Sequence, residues 1–139
     1  MYNTEFEKPN LYPSLVLAYI GDAVYEVYVR SRIICEHRDM PPHKLHIEST
    51  KHVKAQAQSN AMKVIEGMLT EAEEVVYKRG RNSKSATVPK NADVAEYRRA
   101  TGLEALFGHL YIKKETERLE ELMKTAYDHS TETITGGTN

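Results

Sequence analysis

The feature that most constrains this chain is a long apolar stretch near its start with an aspartate in the middle. Residues 15–29 are mostly apolar and contain no proline, but they carry Asp22 and, one helical turn later, Glu26. Their apolar positions cover most of a helix surface, so we expect a long and largely buried helix. A carboxylate in such a helix is costly unless it is paired, hydrogen-bonded or bound to a metal ion.

A second apolar stretch, residues 100–111, contains another acid, Glu104. The positions that share its helix face are Ala100, Thr101, Phe107 and Gly108. A lone buried acid is as readily a structural carboxylate held by a neighbouring donor as it is a ligand. Two acids on two apolar helices, each beside small residues, fit a shared site better, because hard divalent cations prefer carboxylate oxygens.

These two stretches carry a family resemblance. Residues 17–24 (LAYIGDAV) resemble the signature helix of the ribonuclease III catalytic domain, and residues 103–108 (LEALFG) resemble its second catalytic helix. The resemblance runs from about Tyr12 to about Tyr127 and includes the loop sequence KRGRNSK at 78–84. It is closest in pattern to the short subgroup, Mini-ribonuclease III, which has no double-stranded-RNA-binding domain.

The resemblance implies an all-α fold of the ribonuclease III catalytic-domain type and an endoribonuclease that cleaves double-stranded RNA with Mg²⁺. Asp22 and Glu104 would be the catalytic metal ligands, and the products would carry a 5′-phosphate and a 3′-hydroxyl. The implied substrate is the 23S (large-subunit) ribosomal RNA precursor, and a large-subunit ribosomal protein is a candidate helper. The family enzymes are homodimers whose signature helices pack together; the interface candidates here are Leu15, Tyr19, Tyr25 and Tyr28.

Two acids of the longer family members are replaced in this chain. Ala18 stands one turn before Asp22 where they have a glutamate, and Thr101 stands three residues before Glu104 where they have an aspartate. The resemblance does not support Glu26 as a ligand. We therefore expect a weak, water-rich Mg²⁺ site.

Basic residues are concentrated between the two catalytic helices. From 75 to 92 there is no acidic residue. Such a run can be a solvated loop, but clustered cations beside glycine, serine and asparagine favour phosphate binding. The expected RNA-binding residues are Lys78, Arg79, Arg81, Asn82, Lys84, Lys90 and Arg98. A preceding helix, predicted from His43 to about Gly67, adds His46, His52 and Lys54.

The polar residues of that preceding helix have other interpretations. His43, His46 and His52 could suggest zinc, but no further ligand that would close a site is evident nearby. Gln56 and Gln58 lie off the apolar stripe, so we interpret them as a solvated face that is also compatible with an RNA edge.

Composition bounds the rest. A chain of 139 residues with net charge −1 forms one domain and shows no overall signal for nucleic-acid binding. A single cysteine, no signal-peptide pattern and no membrane-spanning run predict a cytoplasmic protein. We expect a flexible N-terminus over 1–12, the catalytic domain over 13–129 and a disordered tail over 130–139.

Two rival functions remain open at this point. One is a catalytically inert RNA-binding or ribosome-associated module on the same fold, which loss of either acid would have favoured. The other is a helical interaction protein with structural acids. A helical interaction protein should show no salt-dependent binding to duplex RNA, whereas the endoribonuclease and the inert RNA-binding module should both show it.

Overall fold

The computed structural model describes residues 4–84 and 88–131, and over these ranges it contains helices and no strand. The all-α prediction is therefore confirmed. Six α-helices follow one another along the chain: α1 Ser14–Glu36, α2 Pro42–Val53, α3 Ala55–Ile65, α4 Glu71–Arg81, α5 Val94–Ile112 and α6 Thr116–His129. None of the helices in the described part of the chain is long and apolar enough to cross a membrane.

Helix α5 is the centre of the fold. It packs against α1, α3 and α4, and α6 covers α3 and the end of α5. Leu103, Leu106 and Phe107 of α5 are fully buried, and the Phe107 ring lies 5.1 Å from that of Tyr25 on α1. The second catalytic stretch of the sequence thus occupies the best-packed position in the domain.

Helices α1 and α5 cross with their backbones in direct contact. A β-carbon added to Gly21 would overlap the carbonyl oxygen of Glu104, and one added to Gly108 would overlap the carbonyl oxygen of Leu17. Glycine at both positions therefore permits a crossing closer than any side chain allows. The crossing places Asp22, next to Gly21, beside Glu104.

Helix α4 approaches α5 from another direction, again through glycine. A β-carbon on Gly102 would lie 2.7 Å from the carbonyl oxygen of Tyr77, and one on Gly80 would lie 2.8 Å from the Ala105 β-carbon. Gly80 lies inside α4, which continues to Arg81, and its missing side chain permits this contact.

Local sequence signals set several helix ends. Thr70 accepts a hydrogen bond from the Glu73 amide while the Glu73 carboxylate accepts one from the Thr70 amide, which is the capping box typical of a Thr-x-x-Glu sequence. Asp93 caps α5 through the amide of Glu96. Helices α2 and α3 are separated at Lys54, whose backbone is extended.

Helix α1 is less buried than its composition predicts. One face is in the core, but Val16, Tyr19 and Val27 on the other face are exposed, Tyr19 by 82%. The prediction failed because periodicity reports which residues are apolar and not whether a single chain covers them. Tyr25 is the opposite case. It is 1% exposed in the core of this chain, so it is corrected from an interface residue to a core residue.

The chain ends differ in part from expectation. Residues 9–11 form a 3₁₀ turn, the Glu7 amide donates to the Tyr12 hydroxyl at 2.9 Å, and the Phe6 ring packs edge-on against Tyr111. These contacts tie residues 6–12 to the domain. The predicted tail falls outside the described residues from 132 onward, although Ser130 is fully buried.

The α1–α5 crossing gives a direct stability prediction. Gly21→Ala should lower the free energy of unfolding by about 2–3 kcal/mol or more, because its methyl group meets backbone that cannot move aside. Urea unfolding followed by helical circular dichroism measures this. Gly67→Ala is the matched control, since a β-carbon there meets nothing within 4 Å, and it should be neutral or stabilise by about 0.4–1 kcal/mol. Equal effects of the two substitutions would contradict the close crossing.

Candidate active site

Two carboxylates from different helices meet at the glycine crossing. Asp22 lies on α1 and is exposed, whereas Glu104 lies on α5 and is partly buried. Asp22 was expected to be buried, as Glu104 was. It is exposed because Gly21 and Ala18, its small neighbours, occupy the contact with α5 and leave Asp22 at the edge of that contact.

The environment of Glu104 disfavours its charged form in the protein alone. Burial raises the pKa of the Glu104 carboxyl to about 8, the neighbouring Asp22 carboxylate also raises it, and a hydrogen bond from Gln58 opposes the shift. The Glu104 carboxyl therefore stays protonated near pH 7 in the protein alone. A bound cation would offset the negative charge that Glu104 carries when it ionises beside Asp22. A carboxyl group whose pKa is strongly shifted by burial and by a neighbouring charge is typical of functional sites.

Gln58 is a site residue that the sequence interpretation missed. It was assigned to a solvated face, but it is 1% exposed, and its Nε2 donates to Glu104 Oε2 at 3.0 Å and to the Val53 carbonyl at 2.9 Å. One signal could have found it. Gln58 precedes Met62 by four residues and Ile65 by seven, which places it on the apolar face of α3.

The donor set suits a hard divalent cation with few protein ligands. Across residues 4–84 and 88–131, no group of three or more His, Cys, Asp or Glu side chains is placed to hold a metal ion. Asp22 and Glu104 supply carboxylate oxygens, and the amide oxygen of Gln58 is buried without a hydrogen-bond partner among the described residues. Mg²⁺ commonly keeps several waters and binds through one or two carboxylates, so the residues fit it.

The basic residues predicted to bind RNA lie mostly on the surface. Lys78 and Arg79 are exposed at the end of α4, where Lys78 also pairs with Glu74 at 3.3 Å. Arg81 is partly buried with its guanidinium 5.7 Å from the Tyr77 ring. The remaining members of this group are exposed: Asn82, Lys84, Lys90 and Arg98. The α4–α5 contact at Gly80 and Gly102 brings the end of α4 to the helix that carries Glu104.

The residues predicted on the preceding helix separate into different environments. Lys54 is exposed at the α2–α3 break, four residues from Gln58. His46 is exposed and lies beside Arg30 and Ile33. These belong to the second half of α1, about two turns or more from Asp22.

His52 is partly buried against the end of α6. Its ring stacks on Tyr127 at 4.0 Å and its Nδ1 lies 2.6 Å from the Ser130 hydroxyl. Burial is the main cause of its lowered pKa, so the imidazole is neutral at pH 7. These contacts with α6 give His52 a packing role, and we correct its assignment as an RNA-facing residue.

Arg99 is a further basic residue that sequence reasoning passed over in favour of Arg98. It is partly buried, and its Nε donates to the buried Ser59 hydroxyl at 2.7 Å, one residue from Gln58. This bond fixes the guanidinium of Arg99 between α3 and α5. Arg98 points to solvent instead.

The remaining interface candidates differ in their surroundings. Leu15 is 40% exposed and Tyr19 is 82% exposed, whereas Tyr28 is partly buried and accepts a hydrogen bond from Arg32 at 2.9 Å. Tyr28 also lines a groove of about 760 Å³ whose other lining residues are chiefly apolar, including Ile20, Val27, Tyr111 and Met123.

Known proteins are similar to this chain in sequence and in fold. Residues 15–115 match the Ribonuclease III domain family model. "Mini-ribonuclease 3" of Clostridium tetani is 51% identical, with 86% of this chain and 81% of the relative covered. The protein of the same name from Streptococcus pneumoniae is 48% identical, with 82% and 90% covered. A crystal structure of a Fusobacterium nucleatum protein is 33% identical with a TM-score of 0.74, covering 81% of this chain and 89% of that one.

The shifted acid predicts a pH dependence of stability. Because the pKa of Glu104 is raised in the folded protein, its contribution to the free energy of unfolding is present below about pH 4.5 and is lost as pH rises through about 8. Glu104→Gln, which cannot ionise, should remove this loss. Metal-free urea unfolding between pH 5 and 9 measures the difference. A parent and variant with parallel pH profiles would show that Glu104 titrates normally.

Proposed function

This chain is an endoribonuclease of the ribonuclease III family, and from that premise we propose that it hydrolyses double-stranded RNA with Mg²⁺ held by Asp22 and Glu104. The observation that carries the proposal is the meeting of these two carboxylates at the α1–α5 crossing. The position of Glu104 supports a functional role, because its environment penalises the charged carboxylate.

The chain's own groups prepare the site for phosphodiester hydrolysis. Mg²⁺ held by Asp22 and Glu104 would supply a Lewis acid for a phosphoryl oxygen and a nucleophilic water at neutral pH. Glu104 would release its proton to solvent on becoming a ligand, and Gln58 would fix the orientation of the resulting carboxylate. Asp22 stands at the exposed side, where a phosphate of the substrate can approach. The expected products carry a 5′-phosphate and a 3′-hydroxyl.

Substrate binding rests on charge and duplex shape. The exposed cations at the end of α4 and at Arg98 can contact backbone phosphates, while Arg99 is held by Ser59 of α3. The bases of A-form RNA are hidden in a deep, narrow groove, so recognition should follow the shape of the helix and its 2′-hydroxyls. A net charge of −1 makes this local clustering necessary.

A homodimer explains the exposed apolar face of α1. Val16, Tyr19 and Val27 are exposed on that face, and Val27 also lines the apolar groove. Large exposed apolar patches mark interaction surfaces. A two-fold axis at α1 would place two sites in symmetric positions, which matches the two strands of a duplex. Leu15, Tyr19 and Tyr28 remain our interface residues.

The biological substrate and location follow from the subgroup resemblance. We propose the 23S ribosomal RNA precursor as substrate, with a large-subunit ribosomal protein as a candidate helper. The exposed free thiol of Cys35 is compatible with a reducing cytoplasm.

Removal of either carboxylate tests the catalytic assignment. Asp22→Asn and Glu104→Gln should each lower cleavage of a duplex RNA by at least about 100-fold, and EDTA should abolish cleavage by the parent. Glu26→Gln is the matched control, because Glu26 lies on the same helix but pairs with Arg30 at 3.0 Å. Its activity should stay within about twofold of the parent.

Binding must be measured beside cleavage. Both carboxylate variants should still bind the duplex. A parent that binds but never cleaves would identify an inert RNA-binding module, and cleavage that survives in both variants would place the active site elsewhere.

Charge removal at α4 tests the RNA surface. In an Asp22→Asn background, Lys78→Ala and Arg79→Ala should each weaken duplex binding and reduce the salt slope of log K by about one. Lys124→Ala on α6, whose ammonium pairs with Asp128 at 2.8 Å, should leave both quantities unchanged. Equal losses in all three variants would mean that binding is non-specific over the whole surface.

A further inference from the structure

Gln58 connects the active site to the corner between α2 and α3. Its Nε2 uses both hydrogens, one to Glu104 Oε2 at 3.0 Å and one to the Val53 carbonyl at 2.9 Å. Both acceptors are oxygens, and the Val53 carbonyl cannot donate. The amide is therefore oriented with its nitrogen toward them, since the reverse orientation would set oxygen against oxygen.

The other half of this amide is unexplained by the protein alone. Gln58 is 1% exposed, and its Oε1 is buried with no hydrogen-bond partner among the described residues. A buried acceptor without a donor costs free energy, so an apolar side chain of similar length would suit a purely structural position better. The unpaired oxygen indicates that a donor arrives from outside the protein.

The position of Oε1 suggests which donor that is. The oxygen and nitrogen of one amide are about 2.3 Å apart, so Oε1 lies within about 5 Å of Glu104 Oε2. A Mg²⁺ ion bound to that carboxylate at about 2.1 Å keeps several waters, all of which are donors. A water of the ion can therefore reach Oε1 while Nε2 still holds the carboxylate.

We propose that Gln58 is a positioning residue of the metal site, which orients Glu104 through Nε2 and accepts a hydrogen bond from a water of the bound cation through Oε1. The inference rests on the proposed function and deepens it. It explains how a site with only two carboxylates is built: a buried amide takes part of the role of the acids replaced by Ala18 and Thr101.

The test compares two glutamines of α3. Gln58→Met keeps length and volume but removes both the nitrogen and the oxygen of the side-chain amide. Gln56→Met makes the same change at an exposed position two residues earlier. Free Mn²⁺ measured by electron paramagnetic resonance gives the dissociation constant of the cation without RNA or turnover. The Mg²⁺ concentration for half-maximal duplex cleavage gives the matching functional value.

Gln58→Met should weaken both values by at least about tenfold, with Gln56→Met within about twofold of the parent. The metal-free melting temperature should change little, because removal of the unpaired buried oxygen offsets the loss of the bonds to Val53 and Glu104. Gln58→Asn, whose shorter side chain cannot span the same distances, should weaken Mn²⁺ in the same direction. It serves as the test if the methionine variant does not fold.

A Gln58→Met protein that melts at a lower temperature but binds Mn²⁺ within twofold of the parent would overturn the proposal and leave a structural role. A parent that binds no Mn²⁺ and cleaves no duplex would overturn the proposed function itself, and the positioning role with it. The two failures are distinguished by the parent alone.

Discussion

The backbone contact between α1 and α5 is the constraint on which the rest of this structure depends. Gly21 meets the carbonyl of Glu104, and Gly108 meets the carbonyl of Leu17, so each helix supplies the glycine that the other requires. The same contact closes the core and brings Asp22 to Glu104. Stability and site geometry are therefore coupled, and a methyl group at the crossing would disturb both.

The two acids differ in burial and in their partners. Glu104 is partly buried and accepts a hydrogen bond from Gln58, which fixes its position, while Asp22 is exposed to solvent and accessible to substrate. The enclosed acid resists ionisation, and a cation relieves that cost on binding. A site with one fixed and one accessible carboxylate can bind a hydrated ion and still leave room for a phosphate.

Local sequence signals predicted much of this architecture. The apolar periodicity of α5, the Thr70 capping box and the two acids in apolar stretches all depend on residues within a few turns of one another. Long-range partners were not predictable in this way. The position of Gln58 on the apolar face of α3 can be read from the sequence, but its bond to Glu104 depends on packing against α5, and the contacts of His52 depend on α6. The exposure of Tyr19 depends on a face that this chain does not cover.

The most direct test of the account is whether Asp22 and Glu104 bind one cation together. Mn²⁺ affinity should be measured in Asp22→Asn, in Glu104→Gln and in the double variant. If both acids hold the same ion, each single substitution removes most of the affinity and the double variant is little worse than either. Losses that add in full, or a single variant that binds Mn²⁺ like the parent, would contradict a shared site.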